Sequence, residues 1–393
     1  MLECNYNFIK KELIELEGKN LLRYLRLGEG PQGAHIVLDG KKVVNFCSNN
    51  YLGLANDKRI VSAAIKSLRK EGLGSGASRL VCGNMQAHEK LEKRIAKFKK
   101  AEKALVFNSG YAANVGIISA LFGKGDIIFS DRLNHASIVD GIILSRSEFK
   151  RYPHNDMKAL EGLLQSFEGY KKKVIITDSV FSMDGDIAPL KEIVTLANQY
   201  KCMVMIDEAH AFGVMGESGR GLAEYLGVED EIDIQMGTFS KAAGCFGAYV
   251  CGSKELINYL LNKSRSFIYS TSLPPMIAAA SLAAVDIIER NKSLRRELWE
   301  KTKYALREIN NLGFNTLSSQ TPIIPIVVER EDLAIKFSKK LLEGGIFVAA
   351  IRPPTVPKNS ARLRVSIIAS HTKKDINYLL DNLERIGKDL CLI

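Results

Sequence analysis

The chain has 393 residues, of which 46% are hydrophobic and 25% charged, and a formal net charge of +11. That composition is ordinary for a globular protein with a sizeable core and two or three compact units. The longest apolar run, Met276 to Val285, is interrupted by Ser281 and is too short to span a bilayer. The seven cysteines are scattered with no C-x-x-C pair, which argues for reduced thiols in a cytoplasmic protein, and no His/Cys spacing suggests a metal site.

Taken in chain order, Met1 to Glu17 mixes Lys and Glu with apolar residues at helical spacing and has no export signal, so residues 1–45 read as an N-terminal helical arm. Gly72 to Arg79 is glycine-rich but follows no strand, and reads as a close-packed loop instead of a dinucleotide fingerprint. Short apolar runs follow at Ala104–Phe107, Asp126–Phe129, Val174–Thr177, Met203–Ile206 and Gly247–Val250, each bounded by Gly, Ser, Asn or Asp. Helix-length segments such as Ala112–Phe122 and Leu190–Tyr200 lie between most of them. This alternation predicts a mostly parallel sheet with helices on both faces. The pattern turns long and helical over residues 276–310. Ile323–Val328, Ile346–Ala349 and Leu363–Ile367 then read as a smaller α+β unit. The expected division is an arm over 1–45, a large α/β domain over 46–285 and a small C-terminal domain over 286–393.

The positive charge is spread along the chain without aromatic interleaving, which speaks against nucleic acid. Clusters such as Lys97-Phe98-Lys99-Lys100 and Lys171-Lys172-Lys173 read as solvated faces. A positive field also suits an anionic substrate or an acidic carrier protein.

In open α/β sheets ligands bind at the carboxyl ends of the strands, so the polar residues just past each run carry the chemistry. Asn108-Ser109-Gly110-Tyr111 opens a helix, offering free amides and the positive end of a macrodipole to a phosphate. His135 follows the next strand, where an imidazole can stack on a flat ligand. Asp178 and Ser182 follow the third, and Asp207 with His210 the fourth. Lys241 comes after the apolar stretch Ile232–Gly237, flanked by small residues that can leave its amine facing a cofactor. An amine of this kind can form a Schiff base with a carbonyl and move protons. A phosphate cradle, then a strand-end carboxylate, then a lysine, in this chain order, supply what pyridoxal phosphate requires.

The segments Gly110–Asn114, Asp131–Ser137, Phe181–Asp186, Asp207–His210 and Thr238–Lys241 resemble the α-oxoamine synthases. The likeness runs from Asn45–Leu54 to Arg362–Arg364. These are fold-type-I pyridoxal phosphate enzymes, acyltransferases that condense an amino acid with an acyl thioester and release CO2. The resemblance implies a large domain built on a seven-stranded, mostly parallel sheet and a smaller C-terminal α+β domain. It implies that Lys241 holds the cofactor and moves protons, Asp207 pairs with the pyridine nitrogen and His135 stacks on the ring. It places His210 and Ser182 near the phenolic oxygen, and Gly110, Tyr111 and Thr238 at the phosphate. Ser270 and Thr271 would reach the phosphate from a partner subunit, which implies a homodimer with shared sites. Arg364 would clamp the amino acid carboxylate, with Arg23, Asn49 and Thr355 on the substrate side. Asp178 stands where a glutamate is more usual, and its shorter arm is expected to alter substrate contacts. Ile351–Pro357 and Ala361–Arg364 resemble the branch, in biotin biosynthesis, that joins L-alanine to a pimeloyl thioester carried by coenzyme A or an acyl carrier protein. A glycine-using branch and an aminotransferase are the alternatives.

Overall fold

The computed structural model describes residues 6–393, which form two compact units. The larger is Asn49–Trp299; the smaller joins the described residues up to Ser48 to Glu300–Ile393. The division therefore falls beyond the expected 285, a position inside the continuous helix Pro275–Arg290. That helix packs along its length on the helices Lys58–Glu71 and Gln86–Phe98 of the larger unit.

The N-terminal segment is not a separate arm. After the helix Asn7–Gly18, His35–Leu38 and Lys41–Asn45 form an antiparallel hairpin that turns at Asp39-Gly40, with φ of +48° and +76°. An Asp-Gly pair tolerates this left-handed turn between alternating strands. The hairpin pairs in parallel with Ile346–Phe347, so backbone hydrogen bonds tie it to the C-terminal part of the chain. The apolar run Ile346–Ala349 is thereby shared between two sheets. Ala349–Ile351 pairs instead with Ala361–Ser366, which also pairs with Ile323–Glu329.

The larger unit holds a seven-stranded sheet. Its strands in chain order are β1 (Lys103–Phe107), β2 (Ile127–Asp131), β3 (Glu148–Tyr152), β4 (Lys173–Asp178), β5 (Met203–Asp207), β6 (Ile234–Thr238) and β7 (Ala248–Gly252). Their spatial order is β1-β7-β6-β5-β4-β2-β3, parallel except for β7, which runs antiparallel to both neighbours. The central strands are apolar on both sides because helices cover both faces. Ile128, Val174, Ile176, Met205, Ile234 and Val250 are buried with Ala113, Ile117 and Ile118 of helix α1 (Gly110–Leu121). Each such aliphatic side chain contributes about 1.5–3 kcal/mol. The edge strand β3, Glu-Phe-Lys-Arg-Tyr, has no apolar run and is largely open to solvent; charge on an edge blocks further pairing. Among the described residues no helix is long and apolar enough to cross a membrane.

Candidate active site

Five of the predicted strands end on one rim of the larger sheet, and the polar residues after them converge there. Ser109 caps α1, its hydroxyl accepting from the Ala112 amide at 3.1 Å, which leaves the Gly110 and Tyr111 amides at the helix start. A side chain on Gly110 would come within 3.8 Å of Met236 and 4.0 Å of Thr238, so the helix start lies against the end of β6. The Thr238 hydroxyl donates to the Gly247 carbonyl at 2.7 Å and lies 2.8 Å from that of Ser240.

Asp207 ends β5 as a buried carboxylate. One oxygen accepts from Asn114 Nδ2 at 2.8 Å and the other from the Ala209 amide at 2.8 Å. Its register partner on β4 is Asp178, whose carboxylate accepts from the His135 amide at 2.7 Å. Burial pushes the Asp178 pKa well up, and the neighbouring Asp207 charge adds to it; the His135 amide and Lys241 work against them. His135 caps helix α2 (Ala136–Ser145). Its pKa is lowered, first by the protein mass around the ring, although much of the side chain surface is open in the single chain. The Asp207 charge opposes that shift and Lys241 reinforces it, so both groups act at close range on this imidazole.

Lys241 sits in a tight turn: its carbonyl accepts from the Gly244 amide at 2.9 Å. Gly244 has φ +64°, and a side chain there would lie 2.3 Å from the Ala55 nitrogen. Only glycine permits this backbone approach. His210, one turn past Asp207, meets the Tyr51 hydroxyl through Nδ1 at 2.7 Å, and Tyr51 reaches Asn49 at 3.4 Å. Ser182 lies in the turn between the bridged residues Val180 and Ile187. Asn108, next to the capped helix start, donates to Ser270 Oγ at 2.8 Å and the Thr271 carbonyl at 2.7 Å.

The remaining predicted residues belong to the smaller unit. Arg23 donates to the Thr355 hydroxyl at 3.4 Å, and Arg364, buried on Ala361–Ser366, donates to Ser366 at 2.9 Å. Sequence reasoning assigned no role to Asn114, Ser137, Tyr51 or His154. The first three lie inside quoted motifs, which was their one signal. His154 had none: it bridges Asp131 at 3.0 Å and Asp186 at 2.7 Å.

The donor set suits pyridoxal phosphate. A buried carboxylate, an amine, an imidazole and the free amides of a helix start stand on one rim, each offering what one part of that cofactor needs. The family model described as aminotransferase class I and II matches residues 41–383. The chain is 53% identical over 385 residues to an 8-amino-7-oxononanoate synthase of Citrifermentans bemidjiense, covering 98% of this chain and 99% of that one. It is 51% identical over 387 residues to the enzyme of that name from Geobacter sulfurreducens, covering 98% and 99%. Among solved structures, a serine palmitoyltransferase from S. paucimobilis with bound pyridoxal phosphate and myriocin superposes with a TM-score of 0.94 at 31% identity, covering 100% of both chains.

Proposed function

We propose, for a chain that belongs to the aminotransferase class I and II family and within it to the α-oxoamine synthases, the reaction its relatives are named for. It joins L-alanine to a pimeloyl thioester and gives 8-amino-7-oxononanoate, CO2 and free thiol. The observation that carries this reading is about 50% identity over nearly the whole length to several enzymes of that one name. Pyridoxal phosphate is the cofactor, and when bound it supplies an electron sink for the bonding pair released at the α-carbon.

The chain's own residues do the rest. Asp207, held by Asn114 and the Ala209 amide, pairs with the pyridine nitrogen. The Gly110 and Tyr111 amides hold the phosphate with Thr238 beside them, and the cap on Ser109 keeps that helix start in place. His135 stacks on the ring. His210, held at Nδ1 by the Tyr51 hydroxyl, lies near the phenolic oxygen, and Ser182 lies on the same side. Lys241 Nζ anchors the cofactor, takes the α-proton and returns it at the end. In this reading Arg364 binds the amino acid carboxylate through its planar fork, while Arg23, Thr355 and Asn49 serve the acyl substrate. Two copies share the sites, and Thr271 of the partner subunit completes the phosphate cradle.

The test is product formation. Loaded protein is mixed with pimeloyl-CoA or pimeloyl-acyl carrier protein, each with L-alanine or glycine, and free thiol, CO2 and the mass of the amino ketone are measured. Turnover with L-alanine supports the reading. Turnover with glycine alone moves the assignment to the glycine-using branch, and no thiol release with either amino acid refutes it. One methyl group separates the two amino acids by only about 1–3 kcal/mol, so both must be assayed at the same concentration.

A further inference from the structure

Beneath the site, buried polar groups form a chain of hydrogen bonds whose direction can be followed atom by atom. Asn114 is fully buried on α1, and its Nδ2 stands 2.8 Å from Asp207 Oδ2 and 2.9 Å from Ser137 Oγ. A carboxylate oxygen accepts, so the face of Asn114 turned to it is the NH2 group, with one proton for each neighbour. Ser137 Oγ accepts from Asn114 and has its own single proton left to give. His135 Nδ1 lies 2.8 Å from it. The backbone N–H of Ser137 also points at Nδ1, at 3.3 Å. A backbone N–H can only donate, so it requires a lone pair on Nδ1, and the Ser137 hydroxyl then gives its proton to the same atom. The ring proton is then on Nε2, and a second proton could enter only by displacing a bond already made.

The groups around the imidazole agree on balance. Burial and Lys241 disfavour its charged form, and Asp207 and Asp140 favour it, with burial the largest effect. Asp178 meets the backbone amide of His135.

We propose that Asn114 and Ser137 are positioning residues that hold His135 as the neutral Nε2–H tautomer while they orient the Asp207 carboxylate. The inference rests on the reading of His135 and Asp207 as cofactor-facing residues and extends it. A neutral imidazole places no second positive charge beside Lys241, and its Nε2–H serves as a donor to a substrate oxygen. Through Asn114, the carboxylate and the stacking ring are fixed by one buried amide, so loosening one loosens the other.

The tautomer is read in cofactor-free protein labelled with 15N-histidine, by long-range 1H–15N spectra between pH 6 and 8. The chain has six histidines, and His135→Gln identifies the signal of interest. In the wild type, Nδ1 should be unprotonated and Nε2 protonated throughout. Ser137→Ala removes the hydroxyl donor and should give mixed tautomers or an imidazolium by pH 6, whereas Ser137→Thr keeps the hydroxyl and restores the wild-type pattern. Asn114→Ala should raise the dissociation constant for pyridoxal phosphate about ten-fold or more, as expected for loss of a hydrogen bond to a charged group. A wild-type His135 that carries its proton on Nδ1, or is an imidazolium at pH 7, overturns the proposal. So does a Ser137→Ala spectrum that matches the wild type. If Asn114→Ala does not fold, the two Ser137 variants still decide. Because the tautomer is read without cofactor, failure of the protein to take up pyridoxal phosphate would count against the proposed function and leave this test standing.

Discussion

His154 is the ionisable group whose loss the structure translates most directly into a pH-dependent stability. Each ring nitrogen faces a carboxylate, Asp131 at 3.0 Å and Asp186 at 2.7 Å, so the ring donates twice and is an imidazolium. Its side chain is 19% exposed, and those of Asp131 and Asp186 are 0% and 12% exposed. Burial works to lower the His154 pKa, but the two hydrogen-bonded carboxylates outweigh it and raise the value from 6.5 to about 10. At 1.36 kcal/mol per unit, that rise corresponds to about 5 kcal/mol at most. Since the folded value lies above the unfolded one, the stabilisation is complete below about pH 6.5, shrinks as pH rises, and is gone above about pH 10. His154→Gln keeps a polar side chain and removes the charge, leaving two buried carboxylates without their cation. The variant should be less stable than the wild type by about 3–5 kcal/mol at pH 6, and the gap should close steadily towards pH 10. Urea unfolding at matched protein concentration, across that range, measures the gap. A difference that does not change with pH would show that the ring's charge does not hold these carboxylates, and the reasoning would fail. The clamp also bears on function: Asp131 precedes the turn that carries His135, and Asp186 follows the turn that carries Ser182. Cofactor affinity should therefore fall in the same variant.

Three further outcomes are expected. Lys241→Ala should still bind pyridoxal phosphate, because the proposed phosphate and pyridine contacts do not involve it, while turnover drops about a thousand-fold or more in the thiol-release assay; near-normal turnover would remove Lys241 from the mechanism. Gly244→Ala forces a Cβ to within 2.3 Å of the Ala55 nitrogen at a φ of +64°, and should lower stability by about 2–4 kcal/mol in thermal unfolding. Asp178→Asn keeps the shape of a carboxyl whose pKa burial and Asp207 hold well above 3.8. A raised folded value means the wild type loses stability as pH climbs above the unfolded value, so between pH 5 and 8 the variant's urea midpoint should decline less steeply; equal slopes would contradict it.

Much of the candidate site was legible as a set of positions because those positions are written locally. Lys241, Asp207, His135 and Gly110 each come at or after a short apolar run bounded by turn residues, the pattern of a buried strand, and an open α/β sheet delivers such positions to one edge. The charged strand Glu148–Tyr152 escaped notice because an edge strand needs no apolar alternation. The hairpin of the N-terminal segment did leave a trace, Asp39-Gly40 between two alternating runs, but its partner Ile346–Phe347 lies some three hundred residues away.

The chain alone determined the alternation of strand and helix, the order of the candidate site residues and the family they resemble, since each depends on a few consecutive side chains. Tertiary structure decided what those residues touch. Strand order and register set Asp178 opposite Asp207, bring Asn114 to Asp207 and Ser137 at once, and place His154 between a carboxylate at the end of β2 and one from a separate loop. Those contacts set which protons are held and which charges are shifted. They arise from burial and from distances between segments far apart in the chain, and neither is encoded at any single position.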